Sequence, residues 1–327
     1  MVAPKHPARQ DDADVRIVRA GTSLSRAEFL LLAAAAALAA TSAGRSAASE
    51  VRPIETRKIP KTGEALPVIG LGTWQSFDIG RSASERAPRR QVLEALFAAN
   101  ASVIDSSPMY GRAEGVTGDL LAGLGARNKT FIATKVWVQG RERGVHQMEE
   151  SFRQFQTDRI DLMQVHNLLD WRTHLATMRA WKEAGRFRYV GVTHYTSASL
   201  ADLAAIVRAE PIDFVQMAYS IAAREPERSF LALCAEKGVA VMVNRPFESG
   251  ALFGEIRGRK LPDWAAEFDC ASWAQFFLKY IVSHPSVTCV IPATSKPQHM
   301  ADNLGAGRGR LPDAAMRKRM VEHVRSL

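Results

Sequence analysis

Cysteine is scarce: three residues in 327, Cys234, Cys270 and Cys289, odd in number and far apart. No CxxC pair occurs, so neither a zinc knuckle nor a redox dithiol is expected, and no metal is assigned. A disulfide-stapled fold is excluded. No apolar run approaches the roughly 20 residues that a spanning helix needs. No GxGxxG follows a strand. Gly70, Gly72 and the Thr73-Trp74 after them do not fit the fingerprint of an open dinucleotide-binding sheet. A basic stripe with interleaved aromatics is also missing, so nucleic acid is not an expected partner. The net charge is nevertheless +9, a sign that suits small anionic ligands, phosphates included. The densest basic group (Arg308, Arg310, Arg317, Lys318, Arg319, Arg325) falls on an expected solvated helix.

Residues 1–28 are polar and carry both signs of charge, 29–40 read FLLLAAAAALAA, and small residues follow. A charged start, a short apolar core and a small-residue zone form the layout of a secretory signal. Cleavage after Ala43 or Ala48 fits, and residues 1–48 are assigned as signal peptide and linker. SRAEFLLL resembles a twin-arginine export signal, with Ala27 where the second arginine belongs. Export to the periplasm is the expectation, and a cytoplasmic protein is the alternative.

After residue 52, short β-branched apolar runs alternate with stretches of helical spacing. The runs lie at 67–72, 102–105, 130–135, 160–166, 188–194, 213–216, 239–244 and 287–292. Most are apolar at consecutive positions, as parallel strands covered on both faces are. Helices are expected at 91–100, 174–185 and 271–284, the second ending at Gly185 as a C-cap would. Eight β-then-α units predict a (β/α)8 barrel over 53–325. An N-terminal β-hairpin with a Lys-Thr-Gly turn should plug its bottom, and an extra C-terminal helix is expected at 311–324. Such a barrel buries its core alone, so a monomer is expected.

Chemistry in such barrels sits at the carboxyl ends of the strands. The second, third and fourth runs place Asp105, Lys135 and His166 at or near their ends, 30 and 31 residues apart, one unit each. They therefore fall on adjacent strands of one rim, and Tyr110 follows in the next loop. Singly, each has an ordinary structural reading. Together they suit proton donation to a carbonyl oxygen. Tyrosine holds its proton at neutral pH. A nearby Lys135 ammonium would lower the phenol's pKa, and Asp105 would be the counter-ion the buried ammonium needs. His166 could donate a hydrogen bond to the substrate oxygen and orient it, or assist the proton transfer.

The motifs GLGTW, VIDSSPMYG, FIATKVW, DLMQVHN, GVTHY, FVQMAYS and IPATSKPQHMADN resemble those of the aldo-keto reductases, from about residue 53 to 325. The resemblance implies reduction of aldehydes or ketones with a nicotinamide cofactor. It makes Tyr110 the general acid, tuned by Lys135 and Asp105, with His166 orienting the carbonyl. Cofactor positions carried over by motif are Thr73, Trp74, Asp105, Thr193, His194, Gln216, Asn244, Arg245, Thr294, His299 and Asn303. His194 replaces a family asparagine, and Asn244 and Arg245 occupy the region of a stacking tyrosine. Ala293 and His299 stand where the family has the cations that hold the 2′-phosphate, with Lys296 and His299 as substitutes. NADPH is the expected cofactor and NADH the alternative. Trp74, Met109 and Trp137 are expected to wall the substrate pocket, which suits a small-molecule carbonyl compound. The competing readings are a non-catalytic cofactor-binding or regulatory protein of the same fold, and a lyase or isomerase using Lys135 as a Schiff-base amine.

Overall fold

A computed structural model describes residues 52–327; the expected signal at 1–48 lies outside them. The chain enters through a hairpin, β1 (Thr56–Lys58) paired antiparallel with β2 (Ala65–Pro67). Gly63 takes φ +74° in its turn, a left-handed geometry that glycine adopts without strain. Eight parallel strands follow in sequential order: β3 (Leu71–Gly72), β4 (Val103–Asp105), β5 (Phe131–Val136), β6 (Ile160–His166), β7 (Phe187–His194), β8 (Phe214–Ala218), β9 (Ala240–Asn244) and β10 (Val287–Val290). Parallel bridges Ile69–Val290 and Gly72–Ala293 join the first strand to the last and close the expected (β/α)8 barrel.

Helices Ala83–Ala98, Ala113–Gly123, Arg141–Phe155, Trp171–Glu183, Leu200–Ala209, Phe230–Glu236, Trp273–Val282 and Pro297–Gly305 form the outer layer, and Ala314–Arg325 is the extra one. None of the helices in the described residues is long and apolar enough to cross a membrane. The first helix starts eight residues before the expected position. Residues 83–90 lack apolar spacing and include Pro88, which reads as a breaker. Ser82 overrides this by capping: its Oγ accepts from the Glu85 amide at 3.3 Å and donates to the Glu85 carboxylate at 2.6 Å. The run at 67–72 also departs from expectation, because Pro67 belongs to the hairpin and only Leu71–Gly72 remain in the barrel strand. The terminal basic helix is not simply solvated. Arg317 lies partly buried on Glu227, Tyr219 and the Tyr280 carbonyl.

Period-two alternation fills the barrel in layers. Near the base the inward side chains are apolar: Val103, Phe131, Leu162, Tyr189, Phe214 and Ala240, joined by Ile59 and Leu66 from the hairpin. The hairpin is thus the expected plug. Two or four residues farther along the same strands the inward positions turn polar: Asp105, Lys135, Gln164, His166, Thr193 and Gln216. The apolar half of the barrel buries the core, and the polar half meets the loops.

Candidate active site

Three of the four expected catalytic groups lie at adjacent strand ends. Lys135 Nζ donates to Asp105 Oδ2 at 2.7 Å and to the Ser106 carbonyl at 2.6 Å, with no side-chain exposure for Lys135. Gln216 and Gln164 donate to Asp105 Oδ1 at 2.8 and 3.3 Å. The carboxylate is therefore fully engaged, as a buried charge must be. Burial pulls the Lys135 ammonium toward neutrality, but Asp105 and Tyr110 outweigh it and hold its pKa above the usual lysine value.

Tyr110 brings its ring to 5.1 Å from Lys135 Nζ and to 5.8 Å from the His166 ring, edge-on. Its pKa is raised, not lowered as expected from Lys135 alone. Burial dominates; Lys135 opposes it and Asp105 adds to it. The phenol is therefore firmly protonated at neutral pH. His166 moves the other way: burial, then Lys135 and His194, push its pKa down to about 2, so its ring is neutral. Its Nδ1 lies 3.0 Å from Ser107 Oγ.

These groups border a cavity of about 800 Å³ at the strands' carboxyl ends. Thr73, Trp74, Asp105, Met109, Tyr110, Trp137, His166, Thr193, Gln216, Asn244, Arg245, Thr294 and His299 all line it. Lys135 sits behind Asp105 and Tyr110 rather than on the wall. Two expected cofactor residues are not brought to it. His194 turns aside, bonding through Nδ1 to the Thr196 amide at 3.2 Å and stacking on Tyr195, which takes its place on the wall. Asn303 is buried within helix Pro297–Gly305. Sequence reasoning missed Gln164, Ser107, Tyr195 and Phe253. Gln164 was findable, since it stands two residues before His166 and so faces the same way. Tyr195 and Phe253 lie in loops whose course no periodicity reports.

Residues 68–323 match the model of the "Aldo/keto reductase family". The chain belongs to the aldo/keto reductase family. Among curated relatives, "Methylglyoxal reductase YeaE" of Escherichia coli is 28% identical, over 73% of this chain and 84% of that protein. "Aldo-keto reductase YhdN" of Bacillus subtilis is 26% identical, over 62% of this chain and 65% of the relative. Among solved structures, an aldo/keto reductase from Klebsiella pneumoniae in complex with NADP and acetate has the same fold, with a TM-score of 0.68 at 23% identity, over 80% of this chain and 93% of that one. This aldo/keto reductase is accordingly an oxidoreductase acting on carbonyl groups.

The cavity fits a phosphate-bearing dinucleotide on its own chemistry. Arg245 and Lys296 bring cationic side chains to the wall beside His299, while Asp105, the only carboxylate lining it among the described residues, is already paired. Arg245 Nε and Asn244 Oδ1 are buried without a partner among the described residues, and Asn167 Oδ1 likewise. Buried polar atoms left open in this way are positions where a ligand completes the hydrogen bonding. Arg245, Glu248 and Ser249 also hold left-handed φ angles of 50–57°, backbone strain gathered on the same rim.

Proposed function

We propose that this aldo/keto reductase converts aldehydes or ketones to alcohols with NADPH. The observation that carries the reading is the Tyr110 phenol beside a sealed Lys135–Asp105 pair, on the wall of a cavity that also holds His166. Thr193, Gln216 and Asn244 would hold the nicotinamide amide; Arg245, Lys296 and His299 would face the phosphates. When bound, the cofactor supplies the hydride. The protein's residues handle the proton. Tyr110 gives its proton to the carbonyl oxygen as negative charge builds there, and Lys135 stabilises the phenolate left behind. Asp105 keeps Lys135 charged and in place. His166, being neutral, orients the carbonyl by a hydrogen bond rather than acting as an acid. Trp74, Met109 and Trp137, each about 40% exposed, form an apolar wall for the substrate.

A Schiff-base lyase fits poorly, because Lys135 is charged, fully buried and committed to two acceptors. A non-catalytic binding protein would not need the four groups assembled. The test is a panel of aldehydes and ketones with each cofactor, followed by absorbance of the reduced nicotinamide. Methylglyoxal belongs in it because the Escherichia coli relative is named for it. Turnover with NADPH is expected; no turnover with any carbonyl would overturn the reading, and a lower KM for NADH would overturn the cofactor preference. Export to the periplasm with cleavage after Ala43 or Ala48 is proposed on the layout of that segment alone. Finding the uncleaved chain in the cytosol would end it. A monomer is proposed on the closed barrel, and sedimentation would test it.

A further inference from the structure

Ser107 has no role in the chemistry above, yet it is fully buried between Asp105 and Tyr110 and touches the imidazole that faces the carbonyl. A neutral histidine is a donor at one nitrogen and an acceptor at the other, and the partner of one decides what the other does. The hydroxyl of Ser107 has one hydrogen to give. Two groups lie within its reach among the described residues: His166 Nδ1 at 3.0 Å and the Met109 amide at 3.4 Å. The amide is itself a donor, so it cannot take that hydrogen. Nδ1 is the remaining acceptor. Had Nδ1 carried the ring proton, the hydroxyl hydrogen would be buried with nothing to receive it, an arrangement that folded proteins avoid.

We infer that Ser107 is a positioning residue that fixes His166 as the tautomer protonated at Nε2, so that the ring presents a donor, not a lone pair, to the substrate oxygen. Nε2 takes no protein partner among the described residues, and the ring lines the cavity. With a lone pair there, His166 would repel the carbonyl oxygen it is meant to hold. The inference rests on the proposed role of His166, but the tautomer itself is observable without turnover.

The experiment labels the full-length protein with ¹⁵N-histidine and reads the two-bond ¹H–¹⁵N correlations of His166, assigned by its loss in His166→Ala. Wild type should show a neutral ring protonated at Nε2. In S107A the ring should become a mixture or move its proton to Nδ1. The kcat should fall on the order of tenfold with cofactor affinity unchanged, since a donor is lost from part of the population and not removed altogether. S107T, which keeps the hydroxyl, should restore the wild-type tautomer. In the His166→Ala background, S107A should cost nothing further. An unchanged tautomer in S107A, or losses that add in the double variant, would overturn the inference. Absence of carbonyl reduction by wild type would instead strike the proposed function, leaving the tautomer measurement to decide on Ser107.

Discussion

The two ends of the barrel are built by opposite rules. At the base, charged groups are paired: Arg188 with Glu64 and Asp161, and Lys182 with Asp213, around an apolar plug of Ile59 and Leu66. At the mouth, polar atoms of Asn167, Asn244, Arg245 and Glu248 are buried and without a partner among the described residues. Large apolar side chains (Trp74, Met109, Trp137, Tyr195, Phe253) stand exposed on the cavity. Left-handed non-glycine residues cluster in its loops, at Gln75, Asn167, Leu168, Asp170, Arg245, Glu248 and Ser249. Arg127 Nη1 is a buried exception at the base, but between the two ends the open polar atoms gather mainly at the mouth, where a ligand would meet them. This is the division between stability and function that barrels of this type show.

The sharpest way to break this contrast is Tyr110→Phe, which should lower kcat by roughly 10²–10⁴-fold while cofactor binding and melting temperature stay near wild type. A variant that turns over normally would remove Tyr110 from the mechanism. The mirror experiment is Leu66→Ala at the base. It should cost about 2–5 kcal/mol of stability, read by denaturant unfolding, with kcat per folded molecule unchanged. A large drop in kcat there would mean that the ends are coupled.

Glu114 offers a third test. It is buried in the helix after the Tyr110 loop and held by hydroxyls, Ser151 Oγ at 3.0 Å and Thr134, with no ion pair among the described residues. Burial raises its carboxyl from the usual 4.5 to about 7. A raised acid favours the folded state only while protonated. Its contribution, on the order of 3 kcal/mol, is complete below pH 4.5 and is lost as pH rises through about 7. Glu114→Gln should therefore flatten the fall in stability across that window, and an identical pH profile would refute the assignment. A smaller effect is expected from Lys296→Ala: KM for NADPH should rise about tenfold, about 1.4 kcal/mol, with KM for NADH little changed. The smallest belongs to Arg188→Ala, whose part-exposed ion pairs should be worth about 1 kcal/mol or less.

Much of this was legible in the chain. Seven of the eight barrel strands fall within two residues of their expected bounds, because consecutive β-branched runs ending at Asp105, Lys135 and His166 report both the strand and its polar end. Where local chemistry contradicted pattern, the reading failed. Pro88 hid the start of a helix that Ser82 caps, and the two glycines of the first strand hid how little of it pairs. Loops were the least legible. His194 matched a motif position, yet its neighbour Tyr195 faces the cavity, a choice made by the turn after β7 and not by residue type. The direction of the Tyr110 shift depends on its degree of burial, which no spacing discloses.

The ring is stitched shut at its thinnest point. The strand that completes it contributes two ladder residues, and a side chain on Gly72 would strike the Ile291 carbonyl at 2.7 Å, so the first and last strands approach with nothing between them. Gly72, Ile291, Ala293 and Thr294 are all wall residues of the cavity. Any molecule filling that space leans on both lips of the seam at once. A cofactor bound across the seam would brace it, and at saturation should slow amide exchange at Gly70 and Gly72 before it does so anywhere near the plug.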